Sequence, residues 1–129
     1  MKILILGDIG ASASNVSLFC DEQGDLFPAE VLKRCNEADI VLLNLEKPLA
    51  DAPSPLGKCP PDYIAPVKSI RGIQLLKPTA VTIANNHILD QGQAGLLSTV
   101  TALEKNGIGY VGTGKNAEDA RKPREWPCC

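Results

Sequence analysis

Carboxylates, carboxamides and one imidazole stand directly after apolar runs in the first ninety residues. Asp8 follows Lys2-Ile3-Leu4-Ile5-Leu6-Gly7. Asn44 and Glu46 follow Ile40-Val41-Leu42-Leu43. Asn85, Asn86 and His87 follow Ala80-Val81-Thr82-Ile83-Ala84, with Asp90 three residues further on. Carboxylate and amide oxygens suit hard or borderline divalent cations. Two such cations, about 3.5–4 Å apart, clamp a phosphoryl group and generate hydroxide at neutral pH. A bridging carboxylate such as Glu46 would hold them together against their own repulsion. His87 is the only histidine in the chain. Beside a phosphate ester it would protonate the leaving oxygen, because an imidazole titrates near neutrality.

Taken singly, each residue has an ordinary use. Asp8 suits a turn or a helix cap, and Asn85-Asn86 tolerate left-handed turn geometry. Glu46 suits a solvated loop, and His87 a packed or surface position. The joint pattern at three successive strand ends is what chance explains poorly. Other arrangements carry less. Gly112-Thr113-Gly114-Lys115-Asn116 lacks the spacing of a Walker loop or a GxGxxG fingerprint and reads as a turn. Ser12, Ser14 and Ser17 form no nucleophile elbow. Nothing in the sequence places Cys20, Cys35 or Cys59 beside His87 as a nucleophilic pair.

The elements that must position these residues follow from hydrophobic patterning. Lys2–Leu6, Ile40–Leu43 and Ala80–Ala84 read as buried strands that stop at Gly7-Asp8, Asn44 and Asn85; Ile108–Val111 is a shorter fourth. A helix is predicted over 28–35, with Pro28 in its first turn, and another over 67–76, with Ile70, Ile73 and Leu76 on one side. The clearest helix spans 93–106. Its apolar stripe is Leu96, Leu97, Val100 and Leu103, with Gly107 placed for a left-handed C-cap. Asn116 would cap a last short helix through Ala120. Six prolines between Lys47 and Pro66 mark a long irregular loop, a kind that is often functional. Continuous apolar strands alternating with helices predict an α/β fold, a parallel sheet flanked by helices on both faces. Ligands of such sheets bind outside the carboxyl ends of the strands, where Asp8, Glu46 and Asn86-His87 lie.

The 129 residues suit one domain with an aliphatic core, since aromatics make up only 4%. Thirteen basic and fifteen acidic side chains give a net charge of -2 with no basic stripe. Nucleic-acid binding and polybasic membrane docking are therefore not expected. No stretch approaches the ~20 apolar residues of a membrane span, and the Met1–Leu6 run is too short for a signal-peptide core. A cytoplasmic protein is expected. Five cysteines without a CxxC pair read as reduced thiols rather than a disulfide framework or zinc knuckle.

Asn44-Leu45-Glu46-Lys47-Pro48, Ala84-Asn85-Asn86-His87-Ile88-Leu89-Asp90-Gln91-Gly92, and Gly112-Thr113-Gly114-Lys115-Asn116 with Ala120 resemble the CapA family of bacterial poly-γ-glutamate capsule synthesis. Thr99, Leu103, Gly107 and Ile108 also fall on that pattern. The family belongs to the calcineurin-like metallophosphoesterase superfamily. The resemblance therefore implies a partial metallophosphoesterase-like sandwich, with residues 1–123 as its N-terminal part. It also implies roles. Asp8 would be the first-strand metal ligand, Glu46 the bridging carboxylate and Asn86 a ligand to the second metal. His87 would be the acid or transition-state stabiliser, and Asn44, Asn85 and Asp90 supporting residues. The cofactor would be divalent metal, Mn, Zn or Fe. The substrate would be an anionic or phosphate-containing molecule or polymer.

Two departures stand beside this. Gly10 occupies the position of the histidine in the superfamily's opening Asp-x-His. The further histidines that superfamily sites draw from later strands have no counterpart here. A hydrolase site that is incomplete, with weak metal affinity and negligible turnover, is the expectation. The alternative is a non-catalytic accessory or binding protein of cell-surface polymer synthesis. Residues 124–129 fit neither strand nor helix and are expected to be an irregular tail, of the kind truncation or a frameshift would leave. A half-sheet with an unpartnered edge is expected to self-associate.

Overall fold

The computed structural model describes residues 1–21, 25–58 and 61–125. Four strands, β1 (Ile3–Ile9), β2 (Ile40–Leu45), β3 (Ala80–Thr82) and β4 (Gly109–Val111), form one parallel sheet in sequential order. Between them run α1 (Val16–Cys20), α2 (Ala29–Glu37), a 3₁₀ turn (Val67–Ser69) leading into α3 (Ile70–Gln74), and α4 (Gly92–Lys105). The short α5 (Ala117–Ala120) follows β4. The predicted parallel α/β architecture is the observed one.

Local chemistry explains most boundaries. Pro28 immediately precedes α2, where its missing N–H costs no helical hydrogen bond. The Asn116 side chain caps α5 by accepting from the Asp119 N–H at 2.9 Å. Helix α1 has no counterpart among the predicted elements. It begins after a turn in which Asn15 Oδ1 accepts from the Ser12 N–H at 2.6 Å, and it exists to bury Phe19. On α4 the buried residues are Gly95, Thr99, Ala102 and Leu103, whereas Leu97 of the predicted stripe is 57% exposed.

The expectation of helices on both sheet faces is corrected. In β2, buried Val41, Leu43 and Leu45 alternate with less buried Ile40, Leu42 and Asn44. The buried set packs with Phe19, Cys35, Ile70, Ile73, Leu76 and Leu103 into the core. On the other face, Ile3 and Ile5 are 51% and 74% exposed. The cause is topological. Right-handed crossovers between strands laid down in sequential order all pass over the same side.

The predicted end of the first strand is also corrected, because β1 continues through Gly7 and Asp8 to Ile9. Ile5 pairs with Leu42 and Asp8 with Asn44, so β1 carries one extra residue between these pairs. That is a β-bulge.

Cys20 and Cys35 are free thiols, as the cysteine spacing suggested. Cys59, Cys128 and Cys129 lie outside the described residues, as does most of the predicted tail.

Candidate metal centre and its histidine

The bulge decides where Asp8 points. Side chains alternate along a strand, so Asp8, three residues after Ile5, would otherwise lie on the helix-covered face. The extra residue restores it to the open face, opposite Asn44. Asn44 Nδ2 donates to Asp8 Oδ1 at 2.7 Å. Glu46 lies two residues past Asn44, just beyond the end of β2, and its N–H donates to the Ile9 carbonyl at 3.1 Å. Asp8 and Asn44 therefore share one face at the carboxyl edge of the sheet, and Glu46 follows at that edge.

Asn85 links this group to the third strand. Its Nδ2 donates to Asn44 Oδ1 at 3.2 Å and to the Leu45 carbonyl at 2.9 Å. Its Oδ1 accepts from the His87 and Ile88 N–H groups, both at 2.9 Å. Asn85 thus shapes the turn that presents Asn86 and His87, with all its amide capacity engaged inside the protein. Asn86 is exposed; its carbonyl accepts from the Lys58 ammonium at 2.6 Å.

His87 is fixed by Asp90. Its Nδ1 lies 2.9 Å from Asp90 Oδ2, which also accepts from the Tyr63 N–H at 2.7 Å. The Lys58 ammonium lies against the other carboxylate oxygen. Asp90 is fully buried. Burial alone would raise its pKa, but the hydrogen bonds from Lys58, Tyr63 and His87 together outweigh it and hold the carboxyl below its usual range. An ionised Asp90 accepting at Nδ1 leaves Nε2 as the imidazole nitrogen available to a ligand. The Tyr63 ring packs against the imidazole with centroids 4.4 Å apart and planes tilted by 47°, and the Lys47 ammonium lies 4.5 Å from the Tyr63 centroid on its face.

The structure thus joins Asp8, Asn44 and Asn85 in one hydrogen-bonded chain, sets Glu46 just past the end of β2, and ties His87 to Asp90. Among the described residues, no three His, Cys, Asp or Glu side chains gather as a metal-holding group. The candidate donor set is two carboxylates and a carboxamide. Sequence reasoning missed Lys58 and Tyr63. They come from the proline-rich loop, where no periodicity relates them to His87.

The scan of family models matches residues 2–128 to the bacterial capsule synthesis protein family PGA_cap. The chain belongs to that family. The CapA resemblance of its strand-end motifs is thereby settled. Curated relatives are the "probable polyglutamine synthesis accessory protein" of Mycobacterium tuberculosis strains CDC 1551/Oshkosh and ATCC 25618/H37Rv, each 36% identical over 84 residues. The match covers 65% of this PGA_cap chain and 22% of each relative, so the compared region is a minor part of those proteins. Among the described residues, no helix is long and apolar enough to cross a membrane.

Proposed function

We propose that this PGA_cap chain contributes part of a metal-dependent hydrolase site, of the phosphoesterase type and incomplete in these residues, to capsule or poly-γ-glutamate synthesis. The observation carrying this reading is the β1 bulge. An extra residue in β1 sits where it sets Asp8 opposite Asn44, one residue short of the strand end that leads into Glu46. The donor set suits Mn, Zn or Fe: Asp8 and Glu46 would hold the metal, with Asn86 beside them. A divalent cation bound there would polarise a phosphoryl oxygen and lower the pKa of its water.

The chain's own residues do the rest. Asn44 orients the Asp8 carboxylate. Asn85 holds the turn. His87, oriented by Asp90 through Nδ1, gives a proton from Nε2 to the leaving oxygen. The substrate would be an anionic or phosphate-containing molecule or polymer.

Titration calorimetry with Mn²⁺, coupled to hydrolysis of a chromogenic phosphodiester, tests this. Glu46→Ala is expected to weaken metal binding further, and His87→Ala to remove what residual hydrolysis there is with metal binding kept. Metal binding that survives Glu46→Ala unchanged would falsify the assignment.

A second reading is a non-catalytic accessory or binding protein of cell-surface polymer synthesis. It is favoured by the single histidine of the chain, where a dinuclear centre ordinarily uses several, and by the word "accessory" in the relatives' names. Polymer binding that is indifferent to chelators, with no hydrolysis at any metal concentration, would select it.

A further inference from the structure

We propose that Lys47 is the oxyanion-binding residue of this site and holds the phosphate or carboxylate of the substrate beside His87. This rests on the reading of the strand-end cluster as a site for an anionic substrate, and it names the group that recognises the anion.

Three observations carry it. First, the Lys47 side chain is held in place. Its ammonium donates to the Ala11 carbonyl at 3.0 Å and lies on the face of the Tyr63 ring at 4.5 Å. Second, the chain makes room for its stem. A Cβ on Gly10 would come 3.0 Å from Lys47 Cγ and 3.1 Å from Cδ, so a side chain at position 10 and this course of Lys47 compete for one space. Third, the charge is unspent. Lys58, the other cation near His87, is paired with Asp90. Among the described residues Lys47 has no carboxylate partner; its contacts are a neutral carbonyl and a ring.

An ammonium has three N–H donors. A carbonyl takes one and a ring face another, which leaves donor capacity and a full positive charge. Lys47 directly follows Glu46, and its ammonium and the His87 imidazole contact the same ring, at 4.5 Å and 4.4 Å from the Tyr63 centroid. That shared ring limits their separation to about 9 Å, a gap that a phosphate ester hydrogen-bonded at both ends can bridge. A lysine acts toward phosphate as a point charge and needs no bidentate geometry, so one fixed ammonium suffices.

The test is calorimetric titration of inorganic phosphate, and separately of acetate, into the wild-type chain, Lys47→Met and Lys47→Arg, each with and without Mg²⁺. Methionine keeps much of the stem against Gly10 and Tyr63 without the charge; arginine keeps the charge. Lys47→Met is expected to lose about tenfold or more in phosphate affinity, the scale of one charge-assisted hydrogen bond. Lys47→Arg is expected to recover most of it. Acetate binding with the same dependence extends the preference to carboxylates; phosphate binding alone restricts it to phosphoryl groups. Phosphate affinity equal in the wild type and Lys47→Met overturns the proposal, as does a wild-type chain that binds neither anion. A change in melting temperature without a change in anion affinity would make Lys47 a packing residue, and also overturns it. Metal titration of Glu46→Ala reports on the underlying site separately, so either idea can fail while the other stands.

Discussion

Asp90 is the residue on which the most local structure depends. It has no exposed surface, yet it accepts from an imidazole, a backbone N–H and an ammonium. Asp90→Asn would leave Lys58 without its carboxylate and His87 without a charged orienter. The expected cost is about 1–3 kcal/mol, moderated because Lys58 is partly solvated; urea unfolding at neutral pH measures it. The sign with pH follows from the depressed pKa. Protonation is harder in the folded chain, so the stabilisation is present above the unfolded-chain value of about 3.9 and is lost as pH falls through the lower folded value. The stability gap between wild type and Asp90→Asn in unfolding curves is expected to narrow progressively as pH falls below about 3.9. This pairing was partly legible in the sequence, since His87 and Asp90 are three apart in a short motif. The contributions of Lys58 and Tyr63 were not. They arrive from 24 to 32 residues away by a route that only loop packing defines.

At the scale of elements, the strands and main helices could be read from apolar runs because burial dictates them. Their limits could not. The bulge in β1 leaves no mark on composition, since Gly7-Asp8 looks like a strand end whether or not pairing resumes beyond it. Deleting Gly7 removes the extra residue and leaves Asp8 two places after Ile5, so it is expected to keep its pairing with Asn44 on the open face. Mn²⁺ binding should persist in that variant and fall sharply in Asp8→Ala, with the far-ultraviolet circular dichroism of both close to wild type. Retained metal affinity in a folded Asp8→Ala variant would mean that Asp8 is not a ligand. In β2, Leu43→Ala empties the middle of the core and is expected to cost about 2–5 kcal/mol. The Gly112 turn behaves differently. Its φ is +95°, and an added Cβ would lie 2.4 Å from the Ala84 Cβ. Gly112→Ala is therefore expected to destabilise by more than about 1 kcal/mol, through strain and contact together. This fits the reading of the glycine-rich segment as a turn.

Over the whole molecule, one sheet face is finished and the other is not. The sequence showed apolar strands but could not show that all crossovers pass on one side, because handedness and strand order are properties of the assembled sheet. The open face leaves Ile3 and Ile5 in water. Parallel sheets are almost always covered on both sides, so an uncovered one is a liability for solubility. Ile5→Lys is expected to raise the concentration at which the chain stays monomeric in sedimentation velocity. Its stability should change by less than about 0.5 kcal/mol, as for ordinary surface substitutions.

The adjacent pair Asp90-Gln91 has a consequence for timing. Ser54 N–H donates to Gln91 Oε1, Leu56 N–H to the Asp90 carbonyl and Tyr63 N–H to the Asp90 carboxylate, while Gln91 Nε2 returns a bond to the Tyr63 carbonyl. Three points of the proline-rich segment hang on two neighbouring side chains and one carbonyl. None of these amides can meet deuterium freely unless the pair lets go. Ser54, Leu56 and Tyr63 are thus set to trade their protons with solvent in step, as one unit that swings clear and reseats together.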